Sequence, residues 1–144
     1  MKVAIYTLCR DRLAYSKRCF RSLWQNAGYP VDHYVIDNGS TDGSAEFFES
    51  VGARVIRNEA NYSYPHCQNQ GIAIAKHDWL GFLNNDIIVS PEWDAKLIDS
   101  MQANGLEVAT ICGIEQIESA AATRKLKRRW QRIKNFLGLF SCVS

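Results

Sequence analysis

A chain of 144 residues, 47% hydrophobic and 22% charged, holds enough apolar material for one packed domain and excludes a disordered or low-complexity chain. Its net charge of +2 conceals an asymmetry. Residues 1–118 carry 10 basic and 15 acidic side chains, whereas residues 119–144 carry 7 basic and none acidic. The composition therefore separates a body, 1–118, from a basic tail, 119–144. Cys9, Cys19, Cys67, Cys112 and Cys142 are odd in number, irregularly spaced and free of any C-x-x-C pair. That argues against a disulfide framework or a zinc knuckle and suits a reducing compartment. The opening apolar run is too short for a signal peptide, and no stretch approaches the roughly 18 apolar residues of a membrane span. The expected location is the cytoplasm, or the inner membrane face approached from the cytoplasmic side.

In chain order, Val3 to Leu8 reads as a buried strand. Leu13 to Asn26 reads as a helix with Leu13, Cys19, Phe20, Leu23 and Trp24 near helical spacing, stopped by Gly28. Tyr34-Val35-Ile36 is a second strand, broken by the turn-rich segment Asp37 to Ser44. A short helix from Ala45 to Ser50, a strand from Arg54 to Arg57 and a polar loop from Asn58 to Pro65 follow. The spacing then predicts a helix from about His66 to Lys76 and a strand from Trp79 to Leu83 that ends on Asn84-Asn85-Asp86. Ser90 and Pro91 look like the cap and first residue of a helix that reaches Asn104-Gly105, and Glu107 to Ile114 offers one more strand.

Strands alternating with helices imply an α/β fold built on a mostly parallel sheet, with ligands beyond the carboxyl ends of the strands. Arg10-Asp11, Asp37 to Asp42 and Asn84 to Asp86 all follow predicted strands, so three separate segments converge on one edge. The glycine-rich loop from Asp37 to Ser44 can fold back to offer carboxylates to ribose hydroxyls or base N–H groups. It can equally be a surface turn in which Asp42 or Ser44 caps the next helix. Asn84 and Asp86 offer oxygen ligands suited to Mg²⁺ or Mn²⁺, or else form an Asx turn. His33, His66 and His77 lack the spacing and partners of a metal site. The absence of G-x-G-x-x-G, Walker A and G-x-S-x-G patterns leaves dinucleotide, P-loop and hydrolase readings without support.

Val35-Ile36-Asp37-Asn38-Gly39-Ser40-Thr41-Asp42-Gly43-Ser44 resembles the hallmark segment of family 2 glycosyltransferases, roughly V-D-N/D-G-S-T-D-G-T. The run Phe82 to Trp93 is similar to that family's D-x-D region, in the L-N-N-D-V form of rhamnosyltransferase-like members. Asn61, Asn69 and Gly71 fit its N-x-G…N-x-G segment loosely. The resemblance covers residues 1–115 in order and spacing. It implies a GT-A fold, here truncated, that transfers a sugar with inversion from a UDP-, GDP- or dTDP-linked donor to a glycan or lipid-linked hydroxyl. It also implies a place in cell-surface polysaccharide assembly. Carried over, it makes Thr7, Arg10 and Asn61 donor contacts and sets Asp37 and Asp42 against base and ribose. Asp86 becomes the ligand of Mg²⁺ or Mn²⁺, with Asn84 in place of the first Asp of D-x-D. Two departures stand out: Ser63 replaces the glycine after Asn61, and after Ile114 only Glu115 and Glu118 remain as acids, neither in the place of the family's general base. A donor-binding module that needs a partner chain for acceptor site and base is the alternative.

In the tail, Leu126, Trp130, Ile133, Leu137 and Phe140 share one helical face among seven cations. Arg124 to Phe140 is thus expected to form a basic amphipathic helix that packs on this domain or a partner subunit, or lies on an anionic membrane. Nucleic acid is disfavoured by the acidic body.

Overall fold

The computed structural model describes residues 1–110 together with Arg124 and Arg128, both helical and exposed. The elements are β1 (Val3–Cys9), α1 (Leu13–Asn26), β2 (Val31–Asp37), α2 (Ser44–Ser50), β3 (Arg54–Arg57), α3 (Tyr64–Ile74), β4 (Trp79–Asn84) and α4 (Trp93–Ala103). The chain divides into two compact units, Met1–Ser100 and Met101–Ser144. The boundary at 118/119 expected from charge, and most of the segment expected to form the tail helix, lie outside the described residues.

All four strands are parallel, in the order β3-β2-β1-β4. Every residue of β1 is buried, which an all-parallel sheet requires because helices cover both its faces. The period of two then sorts the side chains. Val3 and Ile5 pack with Leu23, Val31, Leu83, Trp93 and Ile98, while Ala4, Tyr6 and Leu8 face Tyr34, Ile36 and Cys67 of the opposite layer. In that second layer Tyr6 stacks between Tyr34 and Phe82, with ring centroids 4.9 and 5.4 Å away. Gly71 lets α3 lie on these rings, since a Cβ there would come within 2.9 Å of Tyr6 Cδ1.

The sequence reading departs from the structure at several element ends. Helix α3 begins at Tyr64, two residues before the expected His66, because Pro65 sits in the first turn where its fixed φ is already helical. Trp24, expected on the buried stripe of α1, is 47% exposed. Helix α4 starts at Trp93, not at Pro91, because Glu92 is left-handed (φ 57°) and its N–H is given to the Asn26 carbonyl at 2.7 Å. The side chain of Asp94 turns back to accept from the Gly28 and Tyr29 N–H groups at 2.6 and 3.0 Å, which fixes the exit of α1. Of the fifth strand expected over Glu107 to Ile114, residues 107–110 are exposed and not in a strand, and the rest is outside the described residues.

Candidate donor site

The register aligns the strand ends that build the site. Cys9 pairs with Asp37, and Leu8 pairs with both Ile36 and Asn84. The chain therefore leaves β1, β2 and β4 at one edge, and backbone bonds run on from there: Asn38 N–H to Cys9 O at 2.8 Å and Asn85 N–H to Leu8 O at 3.1 Å. An open cleft of about 360 Å³ lies at this edge. Among the residues lining it are Arg10, Arg12, Asn61, Tyr64, Asn84 and Asp86. Of the residues expected from sequence, the structure thus brings Arg10, Asn61, Asn84 and Asp86 together.

Thr7, expected to touch the nucleotide, does not line the cleft. The strand period turns it toward the α1 and α2 side, where it is fully buried and its hydroxyl meets His33 Nε2 at 2.8 Å. Burial holds His33 in its neutral form, with its pKa lowered to about 4.

The two aspartates of the hallmark loop differ. Asp42 Oδ2 accepts the Leu13 N–H at 2.7 Å, and Oδ1 accepts the N–H and hydroxyl of Ser44 at 3.0 and 2.6 Å. One side chain thereby caps the first residues of both α1 and α2. Asp42 is exposed as a residue, yet partial loss of water around its carboxyl is the largest single influence and opposes ionisation. The bonds from the Ser44 hydroxyl and from backbone N–H groups together outweigh it, and its pKa lies below the ordinary value. Asp37 is buried; Oδ2 accepts the Ser40 N–H at 3.2 Å while Oδ1 is covered and has no donor among the described residues. A buried acceptor left unpaired costs about 1–3 kcal/mol. Asp37 itself is not among the residues lining the cleft, although its neighbour Asn38 is.

Three residues without an assigned role in the sequence reading hold the cleft together. The Asn38 amide donates to Asn61 Oδ1 and Tyr62 O, both at 2.8 Å, and its oxygen accepts from Asn58 at 3.1 Å and from the Tyr62 N–H at 3.0 Å. Asn85 is buried and donates to Asp11 O at 2.8 Å and Ser16 Oγ at 2.9 Å, tying the end of β4 to the β1–α1 loop. Arg12 reaches Asp86 Oδ2 with Nη1 at 3.4 Å. The asparagines are visible in sequence only as polar loop residues; the clue to Arg12 is its place three residues after a strand. Cys9 and Cys67 also border the cleft, but burial raises both thiols above their ordinary range, so neither is a ready nucleophile.

A divalent cation fits this set only in company. Among the described residues no three His, Cys, Asp or Glu side chains gather as ligands. Asp86 and Asn84 are both exposed at the cleft. One carboxylate and one amide oxygen suit Mg²⁺ or Mn²⁺ where substrate phosphates complete the shell.

The model of glycosyl transferase family 2 matches residues 5–142, and the chain belongs to that family. A curated relative is the uncharacterized glycosyltransferase EpsJ of Bacillus subtilis (strain 168), 25% identical over 111 residues, which are 74% of this chain and 32% of the relative. Among solved structures, S. aureus TarS 1-349 in complex with UDP superposes with a TM-score of 0.64 at 18% identity, covering 73% of this chain and 33% of that one. The mannosyltransferase PcManGT from Pyrobaculum calidifontis, in complex with GDP-Man and Mn²⁺, gives a TM-score of 0.54 at 14% identity, covering 88% and 38%. These likenesses establish the GT-A fold. The chain spans about a third of the length of the relatives it matches. No helix among the described residues is long and apolar enough to cross a membrane.

Proposed function

We propose that this chain binds the nucleoside diphosphate-sugar donor of an inverting glycosyl transfer to a glycan or lipid-linked hydroxyl. The observation that carries this reading is the cleft at the carboxyl ends of β1, β2 and β4, with Arg10, Asn38, Asn61, Asn84 and Asp86 among its lining residues and the buried Asp37 next to Asn38 in the chain. Asp37 Oδ1 accepts from the base or ribose, Arg10 and Asn61 contact the donor, and Asp42 holds the loop by capping two helices. Asp86 and Asn84 would hold Mg²⁺ or Mn²⁺ against the diphosphate. When bound, the cation neutralises the charge that grows on the departing nucleoside diphosphate. Its use is supported by the Mn²⁺ in the PcManGT structure.

The bases bound in the two neighbouring structures, as UDP and as GDP-Man, make UDP- and GDP-sugars the first candidates, with dTDP-sugars beside them. Calorimetry of the full chain against that panel tests the assignment, and no binding to any member would refute it.

A second reading keeps the donor site and moves acceptor binding and the general base to a partner chain. It is favoured by the state of the carboxylates at this edge. Asp86 is assigned to the cation, Asp37 is buried and assigned to base or ribose, and Asp42 is engaged as a cap. Asp11 accepts from the Thr41 N–H at 2.8 Å. None of them stands free to take a proton from an acceptor hydroxyl. Hydrolysis or transfer by the chain alone, with a bound donor, would exclude this second reading. For the tail, packing against protein and adsorption to anionic lipid remain the two roles proposed for Arg124 to Phe140. Binding to anionic vesicles that is lost toward about 0.5 M salt would select adsorption.

A further inference from the structure

Two consecutive residues that are not glycine, Asp11 (φ 53°) and Arg12 (φ 65°), occupy the left-handed region just before α1. Such conformations are costly and persist only where the surroundings over-determine them. Here they are over-determined from three sides. The Asp11 N–H donates to Ser40 Oγ at 2.7 Å, its carboxylate accepts from Thr41, and its carbonyl accepts from the buried Asn85 amide. Each of these contacts comes from the segment that follows β2 or β4. The clamp is therefore shared by the three loops that form the cleft, and what it fixes is the direction of the next side chain. Arg12 lines the cleft and its guanidinium reaches Asp86. The contact is a single one at 3.4 Å, with the two side chains 63% and 40% exposed. A pair of that length and exposure is weak.

We propose that Arg12 is the residue by which this chain distinguishes a diphosphate from a monophosphate, leaving Asp86 for the outer phosphate when the donor arrives. The inference rests on the donor reading above and adds to it a residue and an exchange. Without ligand, Arg12 and Asp86 neutralise one another across the cleft. A diphosphate offers the guanidinium a better partner, because its planar fork matches phosphate oxygens and its charge is permanent. The same movement frees the Asp86 carboxylate to face a cation. No bond is made or broken in this exchange.

The test compares nucleoside diphosphate with nucleoside monophosphate of the same base, by calorimetry on the full chain in EDTA, so that no cation contributes. The wild type is expected to favour the diphosphate at least tenfold. In Arg12→Met that ratio should fall toward one while monophosphate affinity stays within about twofold, and Arg12→Lys should restore part of it. Circular dichroism of both variants, whose changed side chain is exposed, controls for folding. A diphosphate preference unchanged in Arg12→Met overturns the assignment, as does a wild type that binds both nucleotides equally. In either case the donor reading survives, since nucleotide still binds. If the wild type binds neither nucleotide with any base, with Mn²⁺ restored as well as in EDTA, the donor reading fails and this inference falls with it.

Discussion

At the end of β2 the acidic side chains are built into the scaffold. Asp42 is held by Leu13 and Ser44, and Asp37 lies buried with one oxygen on Ser40. At the end of β4 the arrangement is reversed: Asn85, an uncharged amide, is the buried anchor, while Asn84 and Asp86 on either side face the cleft. Both loops alternate a tethered residue with exposed ones, but the tether is charged in one and neutral in the other. A carboxylate that accepts several N–H bonds is a strong, fixed acceptor, suited to orienting hydroxyls and amides. An exposed carboxylate beside neutral amides is suited to a cation that comes and goes with its phosphates. The proposed function accordingly assigns base or ribose to the first loop and the diphosphate to the second.

The largest effect should come from the exposed loop. Asp86→Ala is expected to abolish any response of donor binding to Mg²⁺ or Mn²⁺. The loss of metal affinity should be no smaller than the ~10–100-fold that outer-shell partners of metal sites carry. Asn84→Asp should keep or strengthen that response by adding a second carboxylate. Titrating Mn²⁺ into the donor-bound chain checks both, and donor binding indifferent to EDTA in the wild type would remove the metal from this loop.

A smaller effect is expected at the buried aspartate. Asp37→Asn keeps the shape and still offers the Ser40 N–H an oxygen, but it removes the charge presented to the ligand. Hydrogen bonds to charged groups are worth about 1.5–3 kcal/mol, so nucleotide binding should weaken about ten- to a hundredfold with little change in melting temperature. Equal affinity for wild type and variant would mean that Oδ1 never meets the ligand.

This contrast is only half legible in the sequence. The alternation of strands and helices, the parallel sheet and the convergence of three loops follow from the β-branched runs and the turn residues. So do Arg10, Asn84 and Asp86 at the strand ends, whereas Asn61 as a cleft residue is implied only by the family resemblance. Thr7, a donor contact by that resemblance, is sent by the period of two to the α1 and α2 side with Val35, while Leu8 faces α3. The capping of two helices by Asp42 is not visible either: one helix follows it in sequence, but the other, α1, is brought to it only by the β1–β2 pairing. Asn38, Asn58 and Asn85 carry no charge and no motif logic, so their network appears only when the strand ends are set side by side. Glu92 hides the true start of α4 because Ser-Pro is a good helix signal and a left-handed glutamate has none.

The smallest effect concerns Asp42 and reads the tethered loop through pH. In Asp42→Asn one oxygen remains to accept, so either Leu13 or Ser44 loses its partner, at a cost of about 1 kcal/mol for one hydrogen bond. Nucleotide affinity of the folded variant should change little. The sign with pH follows from the depressed folded pKa of Asp42. Its stabilising contribution is complete above the unfolded value of about 3.9 and is lost as pH falls through the lower folded value. His33 also weakens the fold in acid, but over a different window: its folded pKa of about 4 lies below its unfolded value. The unfolded chain therefore takes up the proton first, and stability drops from about pH 6.5 to about pH 4. That loss is common to wild type and variant and cancels in their difference. Urea midpoints at about pH 7, 5 and 3 should therefore show a constant gap between the wild type and Asp42→Asn at the first two values and a narrower one at the third. A gap unchanged at the lowest pH would mean that the ionised carboxylate is not what holds α1 and α2 together.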